Sequence, residues 1–224
     1  MALLSNAAAL LGKELRTEFR SRELLTTTVV FILVVVVLFS FTFDPTSVES
    51  RRFGPGLLWL AFLFAASLML QPCFLREQNN DTLSALRLSV SDPFGIFLAK
   101  LLANTFFLML TEVLMLPIFA VFYNVHIFPV FPQLVLVLFL GSLGVAIPGT
   151  AFSAISAQAR MRELMLPLLL LPLLTPVLIA STEATAALLD PNPALRADWL
   201  GFLAGFDVVF LTALWRFGEY LLEE

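Results

Sequence analysis

From Val113 to Ala159 the chain carries no charged side chain. Such a run suits two crossings of a bilayer, each taking about 20 residues, better than any segment of a soluble core. The stretch Tyr123-Asn124-Val125-His126-Ile127-Phe128-Pro129-Val130-Phe131-Pro132 divides it, and two prolines with an asparagine predict a tight turn there. The run therefore reads as a hairpin of two spans. Two more uncharged runs, Leu24 to Phe43 and Phe53 to Leu75, are each long enough to cross. A further span starts after Asp92-Pro93, where Ser91 or Asp92 can cap and proline suits the first helical turn. Spans are predicted over residues 24–43, 55–75, 94–122, 133–156, 164–182 and 199–217. With 59% hydrophobic residues, 13% charged and a mean hydropathy of +0.94, against about 25% charged in soluble domains, the chain reads as an all-α integral membrane protein. Its 224 residues leave no room for a separate soluble domain.

Cations near span ends are retained in the cytoplasm. Six spans place Lys13, Arg16, Arg20, Arg22, Arg76, Arg87, Lys100, Arg160, Arg162 and Arg216 on one side and Arg51, Arg52 and Arg196 on the other. Both termini are then cytoplasmic, with the Arg76 to Lys100 stretch and the short Gln158 to Glu163 loop. An odd number of spans would spoil the asymmetry. The first apolar run begins too late and is too long for the core of a signal peptide.

Ahead of the first span, Leu4, Ala8, Leu11, Leu15 and Phe19 share one helical face, with Lys13, Arg16 and Arg20 opposite. Residues 1–23 are therefore predicted as an amphipathic helix lying in the membrane plane, packed on the spans, or both. Within residues 76–93, Asp81 can cap a short helix on which Leu83, Leu86 and Val90 align. That stripe calls for a partner: a sister loop, the bilayer, or the groove of a soluble subunit.

Chemistry-bearing motifs are missing. Gly12-Lys13 is followed by Glu14 and lacks a glycine-rich loop before it, so there is no phosphate-cradling sequence. One histidine, His126, and one cysteine, Cys73, exclude histidine clusters, internal disulfides and multi-cysteine metal sites. No catalytic group is assigned. A pI near 5.0 and net charge of −4 give no reason to expect nucleic acid.

Four polar side chains at or near membrane depth stand out. Glu112 and Asp207 are costly to bury charged and read either as functional intramembrane acids or as protonated or hydrogen-bonded acids between helices, Asp207 then helped by Gly201 and Gly205, whose spacing permits close helix approach. His126, at the outer turn, is either an ordinary loop or interface residue or a ligand of haem iron, with Tyr123 the other candidate contact there if haem passes this way. Cys73 reads as a packing residue. The fourth span holds Gly141, Gly144, Pro148 and Gly149, the fifth Pro167, Pro172 and Pro176. These helices either flex to line a path or pack as static kinks.

Several segments in matching order resemble the CcmB family over nearly the whole chain. They are Lys13-Glu14-Leu15-Arg16-Thr17-Glu18-Phe19-Arg20, Pro55-Gly56-Leu57-Leu58-Trp59, Thr82-Leu83-Ser84-Ala85-Leu86 closing on Leu98-Ala99-Lys100, and Leu166-Pro167 with Thr175-Pro176-Val177-Leu178-Ile179. The resemblance implies a single ABC-2-type permease domain, the haem-exporter subunit of bacterial cytochrome c maturation, in the inner membrane. It implies a homodimer with the ATP-binding subunit CcmA, alongside the haem-handling proteins CcmC and CcmD, and indirectly the periplasmic haem chaperone CcmE. Residues 1–23 match the family's interfacial elbow. Glu77 to Leu88 match the loop expected to dock on the ATPase, with Glu77, Asp81, Leu83, Leu86 and Leu88 as coupling residues. Haem is then the implied substrate and ATP is bound by the partner; no cofactor is held by this chain alone. The resemblance makes none of Glu112, Asp207 and His126 a haem ligand. Two mechanisms fit, a haem path through the fourth and fifth spans or a coupler that passes ATPase motion to its neighbours. The alternative is an ABC-2 permease for a lipid, polysaccharide or drug.

Overall fold

The computed structural model describes residues 2–42, 48–74, 93–157 and 162–223. Among them lie α1 (Ala2–Ser21), α2 (Glu23–Thr42), α3 (Val48–Leu70), α4 (Pro93–Phe122), α5 (Phe131–Ala157), α6 (Arg162–Leu189) and α7 (Ala197–Glu223), with a 3-10 turn at Phe128–Val130. The protein is all-α, and α2 to α7 each contain a stretch long and apolar enough to cross a membrane. Glu77, Asp81, Leu83, Leu86 and Leu88 lie outside the described residues.

The long uncharged run does fold as a hairpin. Helix α4 closes at Asn124, in the left-handed region at φ 49°, where the Val125 N–H donates to Ala120 O at 3.0 Å. That six-to-one bond is a Schellman closure, and asparagine tolerates the conformation it demands. Pro129 then sits in the 3-10 turn and Pro132 in the first turn of α5, positions that need no backbone N–H.

Helix α5 is the centre of the bundle, packing against α3, α4, α6 and α7. Its glycines make this possible. A Cβ on Gly141 would lie 2.6 Å from Trp59 Cζ3 and 2.8 Å from Ser181 Oγ, and one on Gly149 would overlap Leu70. Trp59 is buried and donates its Nε1–H to Thr185 Oγ1 at 2.9 Å. That bond sits on the part of α6 beyond residue 182, where the helix continues to Leu189 with Thr185 buried in the bundle. Two apolar clusters stack along the bundle. One gathers Leu70, Phe74, Phe97, Leu101, Ala154 and Leu174; the other gathers Trp59, Phe62, Phe119, Tyr123, Leu138 and Leu188.

The rim helices hold on differently. Among its described side chains α2 buries only Thr28, Ile32 and Val36, a single narrow stripe. Helix α1 packs along α4 and touches α2. Its inward face runs through Ala7, Leu11, Glu14 and Glu18, with Ala8 exposed, about 60° round from the face predicted by apolar residues alone at 100° per residue. The shift has a cause, since Glu14 and Glu18 both find polar partners inside.

Candidate functional site

Polar groups gather at three levels of the bundle. The first is the end that carries α1, where α1, α2, α4 and the end of α3 meet around a cavity of about 40 Å³ lined by Glu14, Glu18, Cys73, Lys100 and Asn104 among others. Lys100 stands two turns into α4 and is 3% exposed. Its Nζ donates to Cys73 O and approaches Glu14 Oε1 at 3.4 Å, and lies 4.9 Å from the centroid of the Phe74 ring. A carbonyl of the chain's last turn beyond α3 is thereby capped by a cation, a favourable end for a helix dipole. Asn104, one turn further on, donates to Cys73 Sγ at 3.2 Å and to Thr150 Oγ1 at 3.1 Å. Ser153 on α5 donates to Leu70 O at 2.8 Å. On the other side, Glu18 Oε1 accepts from the Leu24 N–H at 3.0 Å and the Leu25 N–H at 3.3 Å, capping α2 just after the left-handed Arg22, φ 55°. Sequence reading missed this junction, although a lysine inside an apolar span was its visible signal. Cys73, expected only to pack, also serves as a hydrogen-bond acceptor there.

The second level is the middle of the bundle, between the two apolar clusters. Glu112 is buried on α4 and accepts from Ser142 Oγ at 2.6 Å. Asp207 is buried on α7, and neither of its carboxyl oxygens has a hydrogen-bond partner among the described residues. It faces α5 at Gly144, where a Cβ would come within 3.1 Å of Asp207 Oδ1. Ser142 and Gly144 are two residues apart and so project from nearly opposite sides of α5. The two acids are therefore not a pair. Within the single chain Gly201 and Gly205 approach no other helix closely, since both are exposed and a Cβ on either would meet nothing within 4 Å. The small residue beside Asp207 belongs to α5 instead.

The third level is the opposite end, where His126 lines a cavity of about 310 Å³ with Asn124, Pro129, Leu188 and Asp190. Tyr123 is not in it. The phenol is 3% exposed, stacked on Phe119 at 4.5 Å between ring centroids and roofed by Gly54. Burial pushes its pKa up, away from the phenolate that ligates iron. Of the two proposed haem contacts, only His126 is placed to meet a ligand. Among the described residues no three histidine, cysteine or acidic side chains cluster as a metal site.

The family profile described as CcmB protein matches residues 5–218. The chain belongs to the CcmB family. Its relatives include heme exporter protein B of Pseudomonas aeruginosa, 33% identical over 203 residues that cover 91% of this chain and 90% of that protein. Heme exporter protein B of Paracoccus denitrificans is 31% identical over 190 residues, 84% and 87% of the two chains. That of Rhodobacter capsulatus is 31% identical over 175 residues, 78% and 80%. The match takes in most of α1 and the six apolar helices α2 to α7.

Proposed function

We propose that this CcmB protein is the permease subunit of an ABC-type haem exporter, coupling ATP hydrolysis on a separate subunit to haem delivery or haem-chaperone release outside the inner membrane. The observation that carries the reading is the family match along residues 5–218 in a chain with six spans and no nucleotide-binding motif. A permease without its own ATPase needs a powered partner. Both termini and residues 76–93 face the cytoplasm in this reading, following the cations, and the Leu83 and Leu86 stripe docks on CcmA. Two copies of the permease assemble with CcmA, CcmC and CcmD, and CcmE receives the benefit on the far side. Glu112 and Asp207 serve as intramembrane acids of the working helices. Cells lacking this chain are expected to lose their c-type cytochromes, scored by haem staining of membrane proteins. Intact cytochromes would favour a permease for a lipid, polysaccharide or drug.

Between a haem path and a mechanical coupler, the coupler is the better supported. Iron ligation calls for a side chain such as His, Cys, Met or Tyr, and the outer end offers exposed His126 while Tyr123 is buried in packing. A His126→Ala variant is expected to retain cytochrome c yield to within about twofold, below the 10–100-fold typical of losing a metal-site partner. A loss larger than that range's lower end would restore haem binding at this cavity.

A further inference from the structure

The α1 junction ties together parts of the chain that are far apart in sequence. Glu14 of α1 meets Lys100 of α4 at 3.4 Å, and the same ammonium caps Cys73 O and lies against the Phe74 ring. Phe74 is the last described residue before residues 75–92, and Pro93 begins α4 just after them. One buried cation thus holds the helix ends on both sides of that segment and joins them to α1. One turn further along α1, Glu18 caps α2 through the Leu24 and Leu25 N–H groups, and Phe19 packs edge-on against Phe107 of α4 at 5.4 Å. Helix α2 is held by a narrow stripe, Thr28, Ile32 and Val36, so it moves at less cost than the helices of the core.

We propose that Lys100 and Glu14 are positioning residues for the ATP-driven step, the joint through which movement of the chain ends flanking residues 75–92 is passed to α1 and, by Glu18, to α2. This rests on the reading that residues 76–93 dock on the ATPase. Buried lysine suits the role because its three donors can hold a carbonyl and a carboxylate at once, and in a low-dielectric setting such contacts are stiff. A surface ion pair would be screened and would transmit little. Glu14 keeps some exposure, with 20% of its side chain accessible against 4% for Lys100, so α1 contributes the side of the joint nearer to solvent.

The test uses the complete complex purified in mild detergent, with Glu14→Gln, Lys100→Met and the double variant. Three quantities are read: ATPase co-purified per permease, ATP hydrolysis, and the change in hydrogen exchange of α1 and α2 peptides when ATP is added. In all variants the ATPase is expected to stay bound and active, while the ATP-dependent response of α1 and α2 falls about fivefold or more, the lower end of allosteric couplings. Cytochrome c yield should fall alongside, and the double variant should be no worse than Lys100→Met alone, because Glu14 acts through the lysine. If Lys100→Met fails to fold, Glu14→Gln, at the more exposed side, still decides. Variants whose α1 and α2 respond to ATP as the unaltered protein does would overturn the joint. An unaltered complex that binds ATPase but shows no response in α1 would overturn it too, leaving the docking reading standing. Absence of any ATPase from the unaltered complex would remove the docking reading and the joint with it.

Discussion

Replacing Gly141 with alanine is expected to cripple folding, although the change adds a single methyl group. The new carbon would stand 2.6 Å from Trp59 Cζ3 and 2.8 Å from Ser181 Oγ, closer than non-bonded atoms tolerate. Trp59 cannot step aside. It is 1% exposed, holds Thr185 through Nε1 at 2.9 Å and meets Phe62 edge-on at 5.9 Å. Moving α5 instead would disturb every helix it packs against. Overpacking of this kind costs about 1–3 kcal/mol and sometimes more, and in a chain of this length each kcal/mol lowers Tm by about 2–4 °C. A drop of roughly 5–10 °C in detergent is therefore expected, with poor yield. Gly201→Ala and Gly205→Ala are the controls, since a Cβ there meets nothing within 4 Å; each should leave Tm within about 2 °C, as surface substitutions usually do. A Gly141→Ala protein melting with the controls would show that α5 is not tightly seated.

The contrast among these glycines explains what sequence can and cannot say about such a protein. Uncharged length identifies four of the six crossing helices, sparse charge the other two, and the prolines with Asn124 mark the hairpin, because all these signals are local. Which neighbour a helix face meets is not local. Gly201 and Gly205 have the spacing of a packing motif, yet Asp207 lies two residues past Gly205 and so on nearly the opposite side of α7. The glycine that matters for Asp207 is Gly144, on another helix. In α1 the apolar periodicity locates an amphipathic helix but misplaces its inner face, because apolar residues are welcome against both lipid and protein. Glu14 and Glu18 turn inward for Lys100 and the start of α2, and no pattern confined to α1 announces those partners. Lys100 was visible as a cation inside a span; its carbonyl, carboxylate and aromatic neighbours become visible only when α1, α3 and α4 are brought together. His126 and Tyr123 are three residues apart and look equivalent in sequence. A Schellman turn separates them, leaving one in the core and one at a cavity.

Exchanging Leu83 and Leu86 for aspartate should release the ATPase while leaving the spans inserted. In the helix expected from the sequence, with Asp81 as its cap, Leu83, Leu86 and Val90 share a face by i, i+3, i+7 spacing, and that face is the proposed contact with CcmA. Two carboxylates on it would have to be buried without partners or kept in water, and either choice breaks the contact. Losing two apolar anchors at about 2 kcal/mol each removes roughly 4 kcal/mol, close to a thousandfold in affinity, enough to empty the complex during purification. Insertion depends on the uncharged runs, which the substitutions do not touch. Ser84→Asp adds one such charge about 120° from the stripe centre at 100° per residue, so it should leave the ATPase bound. Co-purification of ATPase with the double aspartate variant at the level of the Ser84→Asp protein would rule out docking by this stripe. Loss with both variants would mean that negative charge anywhere in the segment is what the partner rejects, and the contact would then be electrostatic rather than apolar. Loss with the stripe alone would fix the ATPase next to the chain ends that Lys100 holds, which is where a force applied from the cytoplasm would have to enter.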